Sequence, residues 1–216
     1  MTKYKLTNET TTVGDKTLHR IQALKSFSYV KAGDLGGFIE KEANLSQEGN
    51  AWVYGNAMVY GNALVTGNAK VDDNASVYGN AMLLDNAWVY NNVRVYGNAR
   101  LFDSAEVSGN ASIYGNAMVY GSASVFGNTE AYNNAMMFDN AMVYSNASVF
   151  GNAKVFGIAE VYDDAKVYGN AEVFDCAEVY GNAEVFGDTM LLGRTLVSSD
   201  TKLSGNGMLF DDIKVR

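Results

Sequence analysis

Few side chains in this 216-residue chain could do acid–base, nucleophilic or metal chemistry, and they are scattered. There is one histidine, His19, and one cysteine, Cys176. A general base must lie within hydrogen-bond reach of the proton it removes. With no other imidazole in the chain, His19 is the catalytic candidate only if the protein is an enzyme. Cys176 stands where a turn residue belongs and has no histidine near it in sequence to activate it. Carboxylates recur at Glu160 and Glu178, and Glu172 falls in a row with Lys154. Acids at fixed spacing are what a repeat places on a solvated strand face. The pairs Asp163-Asp164 and Asp211-Asp212 occupy turns and lack the oxygen-rich loop of a Ca2+ site. GDLGG, Gly33 to Gly37, has neither the lysine nor the following helix of a phosphate loop. These residues point away from catalysis, and no metal site and no cofactor are expected.

The elements that carry them have a period of six. From Ala51 onward, Gly-Asn-Ala-x-Val-Tyr recurs without insertion, as in GNAWVYGNAMVYGNALVTGNAK at 49–70. A small residue stands at Ala51, Ala57, Ala63 and so on to Ala183, then at Thr189, Thr195, Thr201 and Gly207. An aliphatic follows two positions later, from Val53 to Val215. Residues two apart on an extended segment share a side, so both point inward and the residues between and beyond them point out. Val93 at a small position, and Ala131 and Met137 at large ones, break the size rule. Gly and Asn both tolerate the left-handed angles of a tight bend, so each Gly-Asn pair turns the chain. Six residues thus make one side of a polygon, which reads as a parallel β-helix. Proline is absent, as expected if nearly every backbone N–H is committed to a ladder.

Residues 1–44 differ. KYKLTNE, LHRIQALKSFSYV and GGFIE alternate as strands, and AGDLGG is a turn. This segment is expected to form a small N-terminal β cap over the open edge of the first coil, with residues 45–216 forming the solenoid.

The repeat resembles the bacterial hexapeptide-repeat family, and HRIQALKSF…VKAGDLGGFIEKEANLSQEGNAWVYGNA, His19 to Ala57, is similar to the N-terminal region of YdcK-type proteins of bacteria and prophages. The resemblance implies a left-handed triangular β-helix with three hexapeptides per coil. It also implies an acyltransferase label, given to such proteins on fold grounds. Acyltransferases of that family generally use a histidine base, and many extrude a loop from one coil. Here His19 precedes the coils, and no loop interrupts them between Ala51 and Arg216. At 18 residues per coil the repeats give roughly nine coils and a rod of roughly 40–45 Å.

Stacking in steps of 18 sorts the outward residues into three faces. The first carries Leu64, Met82, Arg100, Met118, Met136, Lys154, Glu172, Met190 and Met208 beside Thr66, Leu84, Phe102, Tyr120, Phe138, Phe156, Phe174, Leu192 and Phe210. The second stacks Tyr60, Tyr78, Tyr96, Tyr114 and Tyr132, continuing through Phe150, Tyr168 and Phe186, next to mostly Ser and charged neighbours. The third is mixed, with Trp52/Tyr54 and Trp88/Tyr90 early and Glu160/Tyr162 and Glu178/Tyr180 later. Aromatics one coil apart stack and stabilise the sheet, so the tyrosine ladder needs no ligand. A Met/Phe/Leu stripe several coils long exceeds the apolar patches usual on monomers. Leu84, Phe102, Met118, Tyr120, Met136, Phe138, Phe156 and Phe174 are therefore the expected interface, in a homo-oligomer or with a protein partner.

The net charge is −8, which gives no electrostatic footprint for nucleic acid. The start MTKYKLTNET has no apolar core of a signal sequence, and no 18-residue apolar run occurs, so a membrane is not an expected partner. One cysteine excludes an internal disulfide framework and fits a reducing, cytoplasmic setting. The reading is a non-catalytic, rigid interaction or self-assembly module. The alternatives are a hexapeptide-class acyltransferase using His19, and a phage-type inhibitor or ligand sponge acting through the acidic C-terminal coils.

Overall fold

The computed structural model describes residues 2–216 as β-structure with one 3-10 turn at Glu42–Asn44. A two-residue strand recurs every six residues, at Trp52–Val53, Met58–Val59, Leu64–Val65 and onward to Lys214–Val215. These strands stack into three parallel sheets. Face 1 has nine strands, from Leu64–Val65 to Met208–Leu209. Face 2 runs from Met58–Val59 to Lys202–Leu203 and reaches twelve strands by including the N-terminal ones. Face 3 has ten, from Trp52–Val53 to Lys214–Val215. Register advances by one coil of three strands: Met118 lies beside Met136, Ser112 beside Glu130, Glu106 beside Ser124. The molecule is a parallel β-solenoid of about ten turns.

The backbone explains why the period is so strict. On each side the outward residue and its second neighbour donate to the next coil, as Met118 N does to Ala135 O at 2.9 Å and Tyr120 N to Met137 O at 3.0 Å. The corner residue Asn116 donates to Asn133 O at 2.6 Å, and Ala117 N closes the turn on Tyr114 O at 3.4 Å. Buried N–H groups must find partners, and this set repeats only if every coil has the same length. The interior is the expected column of Ala and Val, all unexposed from Val53 to Val185. Burying each valine contributes about 1.5–3 kcal/mol. Ala131 and Met137 fall in one coil, so a small and a large departure share a cross-section and its volume is kept. Threonines at small positions bury their hydroxyls on the turn carbonyl three residues back, Thr129 on Phe126 O and Thr195 on Leu192 O, both at 2.7 Å.

The two residues of each corner pair have different jobs, where the sequence reading gave them one. Only the first is left-handed: Gly55 has φ 56°, Asp73 57°, Asn91 60° and Ser145 63°. The second is not, apart from Asp212, so it need not be glycine-like. Ile158 and Arg194, which match a turn poorly by sequence, sit at that second position, and Ile158 N still donates to Asp175 O at 2.8 Å.

Strands β1 (Tyr4–Val13), β2 (Lys16–Ala23) and β3 (Leu35–Ile39) are antiparallel to one another in sequence order. Strand β3 then pairs in parallel with the first strand of face 2, Phe38 beside Met58 and Ile39 beside Val59. The parallel ladder thus begins within residues 1–44, in a first coil lengthened by the Glu42–Asn44 turn. Asn44, fully buried, donates to Ala63 O at 2.8 Å and accepts from Lys41 N at 2.9 Å. Trp52, expected to point outward, is buried: Tyr4 and Phe27 meet it edge-on at 6.1 and 5.4 Å. Lys3 is buried beside them, its ammonium donating to Ala51 O at 2.9 Å and lying 5.3 Å from the Phe27 ring. Desolvation, then repulsion from Lys25, lowers its pKa to about 8.

Candidate interaction faces

Each face is two rows of outward side chains, one on the strand and one just before the corner. The corner-side row is aromatic on all three. Face 1 stacks Phe102, Tyr120, Phe138, Phe156 and Phe174 at 4.7 to 4.9 Å between ring centroids. Face 2 stacks Tyr60, Tyr78, Tyr96, Tyr114 and Tyr132, then Phe150, Tyr168 and Phe186, at 4.8 to 5.0 Å. Face 3 stacks Phe126, Tyr144, Tyr162 and Tyr180, a ladder that sequence reading resolved only as Tyr162 and Tyr180 beside glutamates. The spacing is the strand repeat itself, within the range of offset ring stacks. Rings in a stack cover one another, and Phe102, Tyr120, Phe138, Phe156 and Phe174 are half-buried, as are Leu84, Met118 and Met136.

An aromatic stack therefore does not distinguish a face; the strand row does. On face 2 that row runs Ser76, Arg94, Ser112, Glu130, Ser148, Lys166, Glu184. On face 1 it includes Leu64, Met82, Met118, Met136, Met190 and Met208, so both rows are largely apolar. Its charges are Arg100, exposed, and Lys154, held on Glu172 at 2.7 Å.

Tyrosines on faces 2 and 3 instead reach diagonally to acids in the next coil. Tyr90, Tyr144, Tyr162 and Tyr168 donate to Glu106, Glu160, Glu178 and Glu184 at 2.6 to 3.1 Å. The signal was available in the sequence, a Tyr sixteen residues before a Glu, but it requires knowing that strands one coil apart are adjacent. Burial, then Glu130, pushes the Tyr114 phenol up to about 12; burial and the Glu160 bond do the same to Tyr144, also about 12. Tyr144 and Tyr162 act as donors, to Glu160 and Glu178 respectively.

The corners carry a second network. Between faces 2 and 1, Lys41 donates to Asn62, and amides then chain through Asn80, Asn98, Asn116, Asn134, Asn152 and Asn170 to Asp188, at 2.8 to 3.3 Å. An amide is both donor and acceptor, so it can bond its own copy above and below. Between faces 1 and 3 the chain runs only from Asn50 through Asn68 to Asn86. Two shallow grooves flank face 1 along these corners. One, about 690 Å³, is lined by Asn98, Asn116, Arg100 and Met118 among others; the other, about 700 Å³, by Ser122, Asp139, Ile158 and Cys176 among others.

The remaining candidates lie apart. His19 sits on β2, its Nδ1 3.2 Å from Thr7 O, within the N-terminal strands. Cys176 is exposed at a corner between faces 1 and 3. Among the described residues no group of three or more His, Cys, Asp or Glu side chains comes together as a metal site would require, and no helix is long and apolar enough to cross a membrane. Asp163 is a left-handed corner residue whose carboxylate accepts from Gly181 N at 3.2 Å.

The YdcK Beta solenoid repeat matches residues 51–67 and 111–127. No curated protein matches the chain. Both matched segments lie within the coils, where the two-residue strands and corner pairs repeat without interruption. The chain is a parallel β-solenoid, and two stretches of its coils match the YdcK Beta solenoid repeat.

Proposed function

We propose that the protein is a non-catalytic, rigid module for self-association or protein binding, working through face 1. The observation that carries this is the pairing, on that face alone, of a continuous aromatic stack with a methionine-rich strand row. Flat walls of this kind suit symmetric contacts, and apolar rows on this scale are costly to leave in water. A left-handed winding, an N-terminal cap formed by the first strands and a cytoplasmic location belong to the same reading. The test is mass in solution by size-exclusion chromatography with light scattering. The parent chain runs as a stable oligomer, and Met136→Lys with Phe138→Glu reduces it to monomers without loss of β circular dichroism. An unchanged assembly in that double variant would remove face 1 from consideration.

A further inference from the structure

We propose that face 1 docks on face 1 of a second copy of this chain, the two rods antiparallel about a two-fold axis at Met136 and Phe138. This rests on face 1 being the association surface and adds the geometry of the contact. Two flat sheets related by a two-fold can meet face to face in two ways. An axis along the rod keeps the rods parallel and sets the strand row of one copy against the aromatic row of the other at equal height. An axis along the strands reverses one rod and sets each row against itself in reverse order.

Face 1 is self-complementary under that reversal. About Met136, Met82 falls opposite Met190 and Arg100 falls opposite Glu172, as the ladder order fixes. About Phe138, Phe102 falls opposite Phe174 and Tyr120 opposite Phe156. Arg100 is exposed and has no ion pair among the described residues, whereas Glu172 holds Lys154 through Oε1. The partner's guanidinium would complete that carboxylate from the other side, twice per dimer. Parallel rods instead bring Arg100 level with its own copy and lay Glu172 on the Phe174 row. The other faces fail the same test. Reversing face 2 about Glu130 sets Arg94 opposite Lys166, and reversing face 3 about its middle sets Glu106 opposite Glu160, like charges in both cases.

The experiment uses the full chain with Cys176→Ser. Arg100→Glu and Glu172→Arg each place like charges across the contact and each weaken the dimer by about tenfold or more in Kd. Mixed together, they recover a dimer containing one of each, because both cross pairs are then of opposite sign. Oxidising a mixture of Met82→Cys and Met190→Cys chains gives a disulfide-linked dimer, since those positions face each other; in parallel rods they lie about 29 Å apart. A parent chain that stays monomeric at every concentration overturns this contact and the association reading together. A stable dimer whose charge variants fail to recombine, or that yields no Met82–Met190 link, overturns the antiparallel arrangement alone.

Discussion

Both corners that bound face 1 make the same left-handed bend, yet they hold neighbouring coils together with different residues. Between faces 2 and 1 the first corner residue is usually glycine, and the second is an asparagine whose amide bonds the coils above and below, as Asn116 does with Asn98 and Asn134 at 3.0 Å. Between faces 1 and 3 the first residue is often an aspartate. Asp103, Asp139 and Asp175 accept from the N–H of Gly121, Gly157 and Gly193 in the next coil at 3.1 to 3.2 Å. With the bond between coils made at the first position, the second is released, and it holds Ser104, Ser122, Ile158, Cys176 and Arg194. Every corner has a left-handed first residue, whereas the side-chain link between coils comes from either position and skips some junctions, such as that from Gly121–Ser122 to Asp139–Asn140.

The largest effect should come from what the two corners share. Gly115 has φ 69°, and a Cβ there would meet Asn133 N at 2.8 Å. Gly115→Val is expected to cost about 2 kcal/mol or more in urea unfolding. Gly115→Asp carries the same Cβ but tolerates positive φ and imports the chemistry of the other corner, so it should cost about 1 kcal/mol less than the valine. If the two substitutions are equally harmful, the corners are not interchangeable. Next in size, Asn116→Leu breaks two amide bonds and should cost about 1 kcal/mol, while Ser122→Leu on the other edge should stay within about 0.5 kcal/mol. Ile158→Asn gives Asn140 an amide above it and should gain a few tenths of a kcal/mol, about the net worth of one exposed hydrogen bond. Loss of the proposed dimer in that variant would draw the corner into the contact surface.

The smallest expected difference is a null one. Amides carry no titratable charge, so the cost of Asn116→Leu should be equal at neutral pH and in alkali. The tyrosine stacks do titrate. Tyr114 and Tyr144 have pKa values raised from 10.0 to about 12 by burial and neighbouring glutamates, so the folded state holds their protons more tightly than the unfolded one. Their contribution is fully present below pH 10 and falls away as pH rises towards 12. Phenolate absorbance rising together with loss of β circular dichroism in that window would confirm the sign.

Much of this was legible in the sequence, for reasons particular residues make plain. Side chains two apart on a strand share a side, so Ala57 and Val59 announce the interior by spacing alone. Steps of 18 then place Phe102 over Tyr120 and Tyr60 over Tyr78. The misses share a cause: they depend on contacts made sideways or out of register. Asn98 and Asn116 read as turn residues because the bend explains them, while their amide bond exists only between coils. The reach of Tyr144 to Glu160 is diagonal. Trp52 fits an outward position of the repeat, and only the antiparallel strands carrying Tyr4, with the segment holding Phe27, bury it. Of the proposed interaction surface, the sequence shows the composition of face 1. The self-complementary order of its charges appears only once Met136 is fixed as the middle of a nine-strand ladder.

A coil is three strands long, but the sequence rule that makes a strand repeats with every one. Those two periods give the molecule a phase. Insertion or loss of eighteen residues lengthens or shortens the rod and leaves every downstream side chain on its own wall. A change of six preserves every inward alanine and valine, so the chain still folds, but everything beyond it turns by a third of a revolution. The Met and Phe rows would then continue along a different wall, split between two sides of the prism. A duplication or deletion invisible to the fold could thus erase or create a binding surface, without substituting a single residue.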